Sequence, residues 1–186
     1  SFPNALCFAT TSPAGNIIWT GDFRIDQTPV DRKLTDITRL AEYGEKGVLA
    51  LFSDSTNSEI PGVAPSEYTL YDSLGNLFHT AKKKIFIATF SSSISRIQVI
   101  LELAQKVGRK VIPIGRRMIS NIQTAVEVGC LEYPENLIVS AADANQFPSN
   151  ELIILATGSQ GEPMGAMTRI INNIHPDVFL ESGDCV

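Results

Sequence analysis

The chain has 186 residues, of which 44% are apolar and 19% are charged, and its formal net charge is −5. This composition is typical of a soluble protein with a core, and the length suits one large domain or one domain with part of another. No apolar run approaches the roughly 20 residues that a membrane span needs. The net charge argues against binding nucleic acid by bulk attraction, but it leaves room for a local basic groove.

The cysteines and the first residues indicate the setting of the protein. Cys7, Cys130 and Cys185 are far apart and form no CxxC pair, which excludes a zinc ribbon and a thioredoxin-type motif. An odd count without secretory features predicts a cytoplasmic location. Residues 1–4 contain neither an initiator methionine nor a basic signal-peptide region, so we expect a fragment of a longer protein.

The amino-terminal part of the chain predicts a few short elements. In chain order they are a strand at 4–11, a turn at 13–16, a strand at 16–20, a helix at 36–43 and a strand at 47–53. Gly44 is expected to stop the helix. The strand at 47–53 is a continuous apolar run, which predicts burial on both of its faces.

A segment rich in proline and glycine at 58–65 predicts a domain boundary, and a regular alternation follows it. Strands are predicted at 84–89, 110–114, 137–139, 151–156 and 177–180, and helices at 66–81, 94–107, 118–129, 141–146 and 162–173. Ser66 is the expected N-cap of the first helix. Such alternation predicts an α/β domain with a parallel sheet flanked by helices.

Three predicted strand ends carry groups that suit a phosphate. Ligands gather at the carboxyl ends of parallel strands, close to helix N-termini. The candidates there are Ser91, Ser92, Ser93 and Arg96, then Gly115, Arg116 and Arg117, then Gly158, Ser159, Gln160 and Glu162. Each has a plainer explanation: Ser93 as a helix cap, the glycines as turn residues, the arginines as a solvated pair. Their coincidence on one sheet edge favours an anion-binding edge.

Two aspartates are the acidic candidates. Asp22 and Asp54 each follow a predicted strand and could support a hard metal ion, although an Asx-turn or a helix cap would also explain them. His79 and His175 form no H-x-H pair, so we expect structural roles for both and no complete zinc or manganese site in this chain. Trp19 and Phe90 could stack on bases, although Trp19 is better explained as a core residue.

Several motifs occur together in the order of a known family. The segments at 20–24, 26–30, 53–57, 88–90, 115–116 and 157–164 resemble the ribonuclease J group of metallo-β-lactamase-fold nucleases. The resemblance implies a metallo-β-lactamase domain interrupted by an inserted β-CASP domain. Residues 1–65 would be the end of the first metallo-β-lactamase segment, and residues 66–186 the β-CASP domain.

The resemblance also implies functional roles. Asp22 would bridge two divalent metals, zinc or else manganese, Asp54 would support that site catalytically, and the metals would activate water for attack on an RNA phosphodiester. The serine segment, Arg116 and the loop at 158–162 would hold RNA, and the intact enzyme, an exonuclease or endonuclease, is expected to be a homo-oligomer. Its histidine motifs would precede residue 1 and follow residue 186, so the chain itself should bind metal poorly and lack activity.

The sequence departs from the family pattern in the segments expected to hold phosphate. Ser93 and Ser95 stand where an asparagine and a histidine are expected, and Arg117 stands in place of a serine. An alternative function is a non-catalytic module that binds RNA or a partner protein through the same edge. A Rossmann-type nucleotide enzyme is disfavoured, because the first strand is not followed by G-x-G-x-x-G and no P-loop occurs.

Overall fold

A computed structural model describes residues 5–56 and 58–186 of the chain. The start of the first predicted strand at residue 4, and Asn57 in the motif at 53–57, therefore lie outside the described residues. The chain divides into two compact units, Ser1–Tyr68 and Thr69–Val186. Each unit is described by itself, as unit 1 and unit 2.

The described residues of unit 1 form a three-stranded sheet and one α-helix. Strands β1 (Phe8–Ser12) and β2 (Gly15–Trp19) form the predicted antiparallel hairpin around a turn at 13–14. Helix α1 (Ile37–Lys46) follows, and β3 (Val48–Phe52) then pairs in parallel with β2. The sheet order is β1-β2-β3, so the carboxyl ends of β2 and β3 are neighbours.

Helix α1 is longer than predicted, because Gly44 does not stop it. Asp36 caps the helix by accepting a hydrogen bond from Arg39 N at 2.9 Å. A glycine inside a helix costs only about 1 kcal/mol, which a capped helix can accommodate. The helix ends instead at Gly47, whose φ of 85° is a conformation that glycine adopts without strain.

The predicted burial of β3 on both faces is wrong. Leu49 and Leu51 are 63% and 60% exposed. The physical reason is that burial of a face requires a second layer, and α1 contributes no buried residue that would cover β3. Trp19 is likewise not a core residue, since it is 38% exposed and stacks on Phe52 with ring centroids 5.4 Å apart.

Unit 2 has the predicted α/β architecture with a parallel sheet. Strands β4 (Ile85–Ala88), β5 (Lys110–Ile114) and β6 (Leu152–Ala156) all run parallel in the order β4-β6-β5. The helices are α2 (Leu70–Thr80), α3 (Ile94–Val107), α4 (Arg116–Glu127) and α5 (Ala166–Ile171), with 3-10 turns at Ala141–Gln146 and Ser149–Glu151. A further 3-10 turn, Glu67–Thr69, spans the point in the chain where unit 1 ends and unit 2 begins. The last strand in the chain thus lies between the other two.

The sheet of unit 2 is buried on both faces, as parallel sheets usually are. One face of the strands packs into a core cluster with the Ala141–Gln146 turn and with α5. On the other face Ile85, Val111 and Ile153 are 0% exposed. Helix α3 buries a stripe of apolar residues at helical spacing and ends at Gly108, which has the left-handed conformation of a helix C-cap.

Several of the element boundaries predicted from residue 66 onwards are wrong for local reasons. Residues 137–139 contribute only a bridge from Ile138 to Val111, and 177–180 form no strand. The helix predicted at 162–173 begins at Ala166, because Gly165 N donates to Glu162 O at 2.8 Å and closes a turn before it. Ser66 caps the 3-10 turn by accepting from Tyr68 N at 3.1 Å, whereas the α2 N-cap is Thr69.

Among the described residues, no helix combines the length and apolar character that crossing a membrane would require.

Candidate functional site

The three strand ends singled out in the sequence lie along one edge of the unit 2 sheet. We call this the carboxyl edge and define it as residues 89–96, 115–117 and 157–165. Thr89 N donates to Ala156 O at 3.0 Å, which ties the end of β4 to β6. On the other side, a Cβ at Gly115 would lie 3.0 Å from Thr157 Oγ1, so the end of β5 approaches the end of β6 closely. The loop after β6 therefore lies between the other two segments.

The serine turn, residues 90–93, is held by its backbone and by α4. Ser93 N donates to Phe90 O at 3.1 Å, and Ser91 Oγ accepts a hydrogen bond from Asn121 Nδ2 at 3.1 Å. Ser93 occupies the N-cap position of α3, but its side chain makes no capping hydrogen bond. Ser92 is half-buried beside them. Because Ser91 Oγ accepts from Asn121, its own hydroxyl proton remains available for donation.

Three arginines bring positive charge to the carboxyl edge. Arg96, in the first turn of α3, lies with one guanidinium nitrogen 3.5 Å from Thr89 Oγ1. Arg116 and Arg117 form the exposed start of α4, and no ion pair within the described residues includes either of them. Both lie at a helix N-terminus, where the helix dipole also favours an anion.

The glycine loop, residues 157–165, brings two backbone segments into close contact. Gly158 has a φ of 108°, and a Cβ at Gly165 would lie only 2.8 Å from Gly158 Cα. Glu162 turns its carboxylate back on the loop, where it accepts from Gln160 N at 3.2 Å. Ser159 is exposed nearby. The glycines thus create a tight loop, and Glu162 stabilises its shape.

Sequence reasoning did not single out Asn121, and it included Thr89 and Thr157 in the motifs at 88–90 and 157–164 without giving either a role at this edge. Asn121 is the most accessible to prediction, because it lies four residues after Arg117 and therefore on the same side of α4. Thr89 is 1% exposed and accepts from Arg96. Nothing in the sequence alone indicates that Thr157 packs against Gly115, because the two residues are 42 positions apart in the chain and meet only through the pairing of β5 with β6.

The two candidate aspartates belong to unit 1, and the strands that precede them are neighbours as expected. Thr20 N donates to Phe52 O at 3.0 Å, and Thr20 Oγ1 accepts from Asp54 N at 3.1 Å. Asp22 is exposed. Asp54 Oδ1 accepts from both the backbone and the hydroxyl of Thr56. These hydrogen bonds lower the pKa of Asp54 and form the Asx-turn that was the plainer explanation of this residue.

The described residues do not make up a metal site by themselves. None of their histidine, cysteine, aspartate and glutamate side chains come together in groups of three or more that could hold a metal ion. His79 is exposed on α2. His175 Nδ1 accepts hydrogen bonds from Asp177 N at 3.3 Å and Val178 N at 3.2 Å, and an acceptor of this kind stabilises the local backbone.

The structural role of His175 predicts a pH dependence of stability. Burial lowers its pKa, with Asp177 opposing and Arg169 reinforcing the shift. As the pH falls, the imidazole of His175 is protonated in the unfolded chain at a higher pH than in the folded protein. The stability that neutral His175 contributes is therefore present above about pH 6.5 and is lost as the pH falls through its folded pKa. His175→Asn keeps an acceptor that does not titrate. Urea unfolding followed by circular dichroism between pH 7.5 and about 5 should show a smaller loss for this variant, and equal losses would contradict the assigned role.

Comparison with known proteins places these features in a family. Residues 82–186 match the family described as Ribonuclease J, beta-CASP domain. The chain is 45% identical over all 186 residues to Ribonuclease J of Synechocystis sp. and covers 29% of that protein. It is 41% identical to Ribonuclease J of Helicobacter pylori strain 26695, covering 27% of it, and 38% identical to Ribonuclease J2 of Bacillus subtilis, covering 34%. The chain therefore spans about a third or less of these relatives.

Proposed function

Because this chain belongs to the ribonuclease J β-CASP domain family, we propose that it is part of a bacterial ribonuclease that acts in RNA maturation and decay. In this proposal, a protein as long as these relatives hydrolyses RNA phosphodiesters as a 5′ exonuclease, an endonuclease or both. That protein acts in the cytoplasm as a homo-oligomer. The observation that supports an RNA-binding role for this part is the carboxyl edge, where three parallel strands end side by side.

Each segment of the carboxyl edge supplies a different kind of group to the RNA backbone. Hydroxyl groups come from the serine turn and positive charge from the arginines, and the glycine loop allows a phosphate to approach the backbone N–H groups closely. Glu162 repels phosphate and contributes by holding the loop. The proposed contacts are Ser91, Ser92, Ser93, Arg96, Gly115, Arg116, Gly158, Ser159 and Gln160, with Glu162 as the supporting residue.

The metal chemistry is proposed for a protein of the relatives' length. Asp22 would be a direct ligand of two divalent metals, zinc with manganese as the alternative, and Asp54 would support the site. Bound metals of this kind lower the pKa of water and so supply a nucleophile. The described residues do not complete such a site, so no step of hydrolysis is assigned to them. RNA binding without catalysis is accordingly the second candidate function for this chain, which the same edge supports.

Incubation of the 186-residue chain with labelled single-stranded RNA tests both functions. With zinc or manganese present, we expect salt-sensitive binding and no cleavage, because Asp22 is the one direct ligand proposed here. Cleavage that Asp22→Ala abolishes would contradict the proposed inactivity of the chain by itself. The absence of binding at low salt would contradict the proposed RNA-binding edge.

A further inference from the structure

Phe90 presents an aromatic ring to solvent at the carboxyl edge. It follows β4 directly and is 46% exposed, whereas Phe86 within the strand is 2% exposed. A single exposed aromatic residue is ordinary on a protein surface. Phe90 differs because its backbone is fixed on both sides and because residues with hydroxyl and guanidinium groups occur in the same segment, at 89–96.

Hydrogen bonds hold the backbone on either side of Phe90. Thr89 N donates to Ala156 O at 3.0 Å, and Ser93 N donates to the carbonyl of Phe90 itself at 3.1 Å. Ser91 is held by Asn121 from α4. Because the backbone of this turn is already fixed, ligand binding has to order only the two side-chain torsions of Phe90, so the backbone of the site is preorganised.

The charges around Phe90 restrict the kind of ligand that fits. Arg96 follows six residues later with its guanidinium at Thr89, and Arg116 is exposed at the start of the neighbouring α4. The edge therefore offers a flat apolar ring together with positive charge. An unpaired nucleotide has an aromatic face and an anionic backbone at once. Inorganic phosphate lacks the face, and bases within a duplex are already stacked on their neighbours.

We propose that Phe90 stacks on an unpaired base of an RNA strand whose phosphates bind at the carboxyl edge. This inference rests on the proposed function and sharpens it, because it names Phe90 as the residue that recognises an unpaired base. Every base has a π face, so the contact tolerates all four bases.

The test compares Phe90→Leu and Phe90→Trp with a matched control, Phe179→Leu. Phe179 is 44% exposed in the same unit, two residues before Glu181, which pairs with Lys84 at the opposite end of β4. Anisotropy titrations of the 186-residue chain use a short single-stranded RNA and an abasic strand of equal length. For the RNA, Phe90→Leu should weaken binding about tenfold with an unchanged salt slope, while Phe90→Trp and Phe179→Leu bind like the original chain. On the abasic strand, Phe90→Leu should cause no loss.

Each outcome distinguishes stacking from the proposed function. Salt-sensitive RNA binding that Phe90→Leu leaves unchanged would overturn stacking and leave the proposed edge in place. An equal loss on the RNA and on the abasic strand would also overturn stacking, because it would show a disturbed turn. If the original chain bound no RNA at low salt, the edge and the stacking would both be wrong.

Discussion

Replacing Arg116 with alanine should weaken single-stranded RNA binding by the 186-residue chain about tenfold near 0.1 M salt. Arg116 lies exposed at the N-terminus of α4, and no ion pair within the described residues neutralises it. Loss of one phosphate contact should also reduce the slope of log K against log salt by about 0.7. Anisotropy titrations between about 50 and 200 mM KCl measure both quantities.

Two matched variants separate a specific contact from general charge. Lys82→Ala removes the same charge from the exposed turn before β4, at the opposite edge of the sheet, and should leave affinity nearly unchanged. Arg116→Lys keeps the charge but loses the planar fork of donors, so it should bind with intermediate affinity. Equal losses for Lys82→Ala and Arg116→Ala, or a loss at Arg116 without any change in salt dependence, would contradict a phosphate contact.

The parallel sheet of unit 2 could be predicted because its apolar runs are short, continuous and separated by helical patterns. The strands at 85–88, 110–114 and 152–156 and helix α3 lie within or at the predicted ranges. The order β4-β6-β5 could not be predicted. Strand pairing is set by contacts between distant segments, and the local pattern of each strand is compatible with more than one neighbour.

The same kind of apolar run gave a wrong expectation in unit 1. Strand β3 is as apolar as β6, but Leu49 is 63% exposed whereas Leu155 is 0% exposed. Burial of a strand on both faces requires another layer of structure on each face. The sequence of the strand itself does not indicate whether other elements of the chain form those layers. In unit 2, α3 and α5 supply those layers with buried residues of their own.

The candidate site shows the same limit at the level of side chains. Strand-end reasoning found the segments of the carboxyl edge, because in a parallel sheet the ends of all strands meet along one side. It did not find that Asn121 binds Ser91, since the two residues are 30 positions apart and meet only when α4 packs beside the serine turn. The Asx-turn at Asp54 was accessible, because its partner Thr56 is two residues away.

Gly165→Ala should lower the free energy of unfolding of unit 2 by about 1–3 kcal/mol, because the new Cβ would overpack a backbone crossing. Gly165 has φ −63° and ψ 149°, which alanine adopts without strain. The expected destabilisation therefore comes from steric overlap of the new methyl group and not from the backbone conformation. The Cβ would lie 2.8 Å from Gly158 Cα and 3.0 Å from Glu162 O. Neither is the flexible end of a side chain, so the glycine loop must move, and RNA binding should weaken with it.

Gly75→Ala provides the matched control, since it adds the same methyl group to the same unit. Its Cβ would make an ordinary contact, 3.6 Å from Leu103 Cδ2, and alanine inside helix α2 should stabilise by about 0.5–1 kcal/mol. Urea unfolding should be followed by far-UV circular dichroism, because the single tryptophan, Trp19, lies in unit 1. Opposite signs for the two variants are expected because the methyl group has room on α2 and none at the Gly158 crossing. If Gly165→Ala left the free energy of unfolding unchanged, the glycine loop would be able to move at little cost. That result would contradict the proposal that the tight shape of this loop contributes to RNA binding.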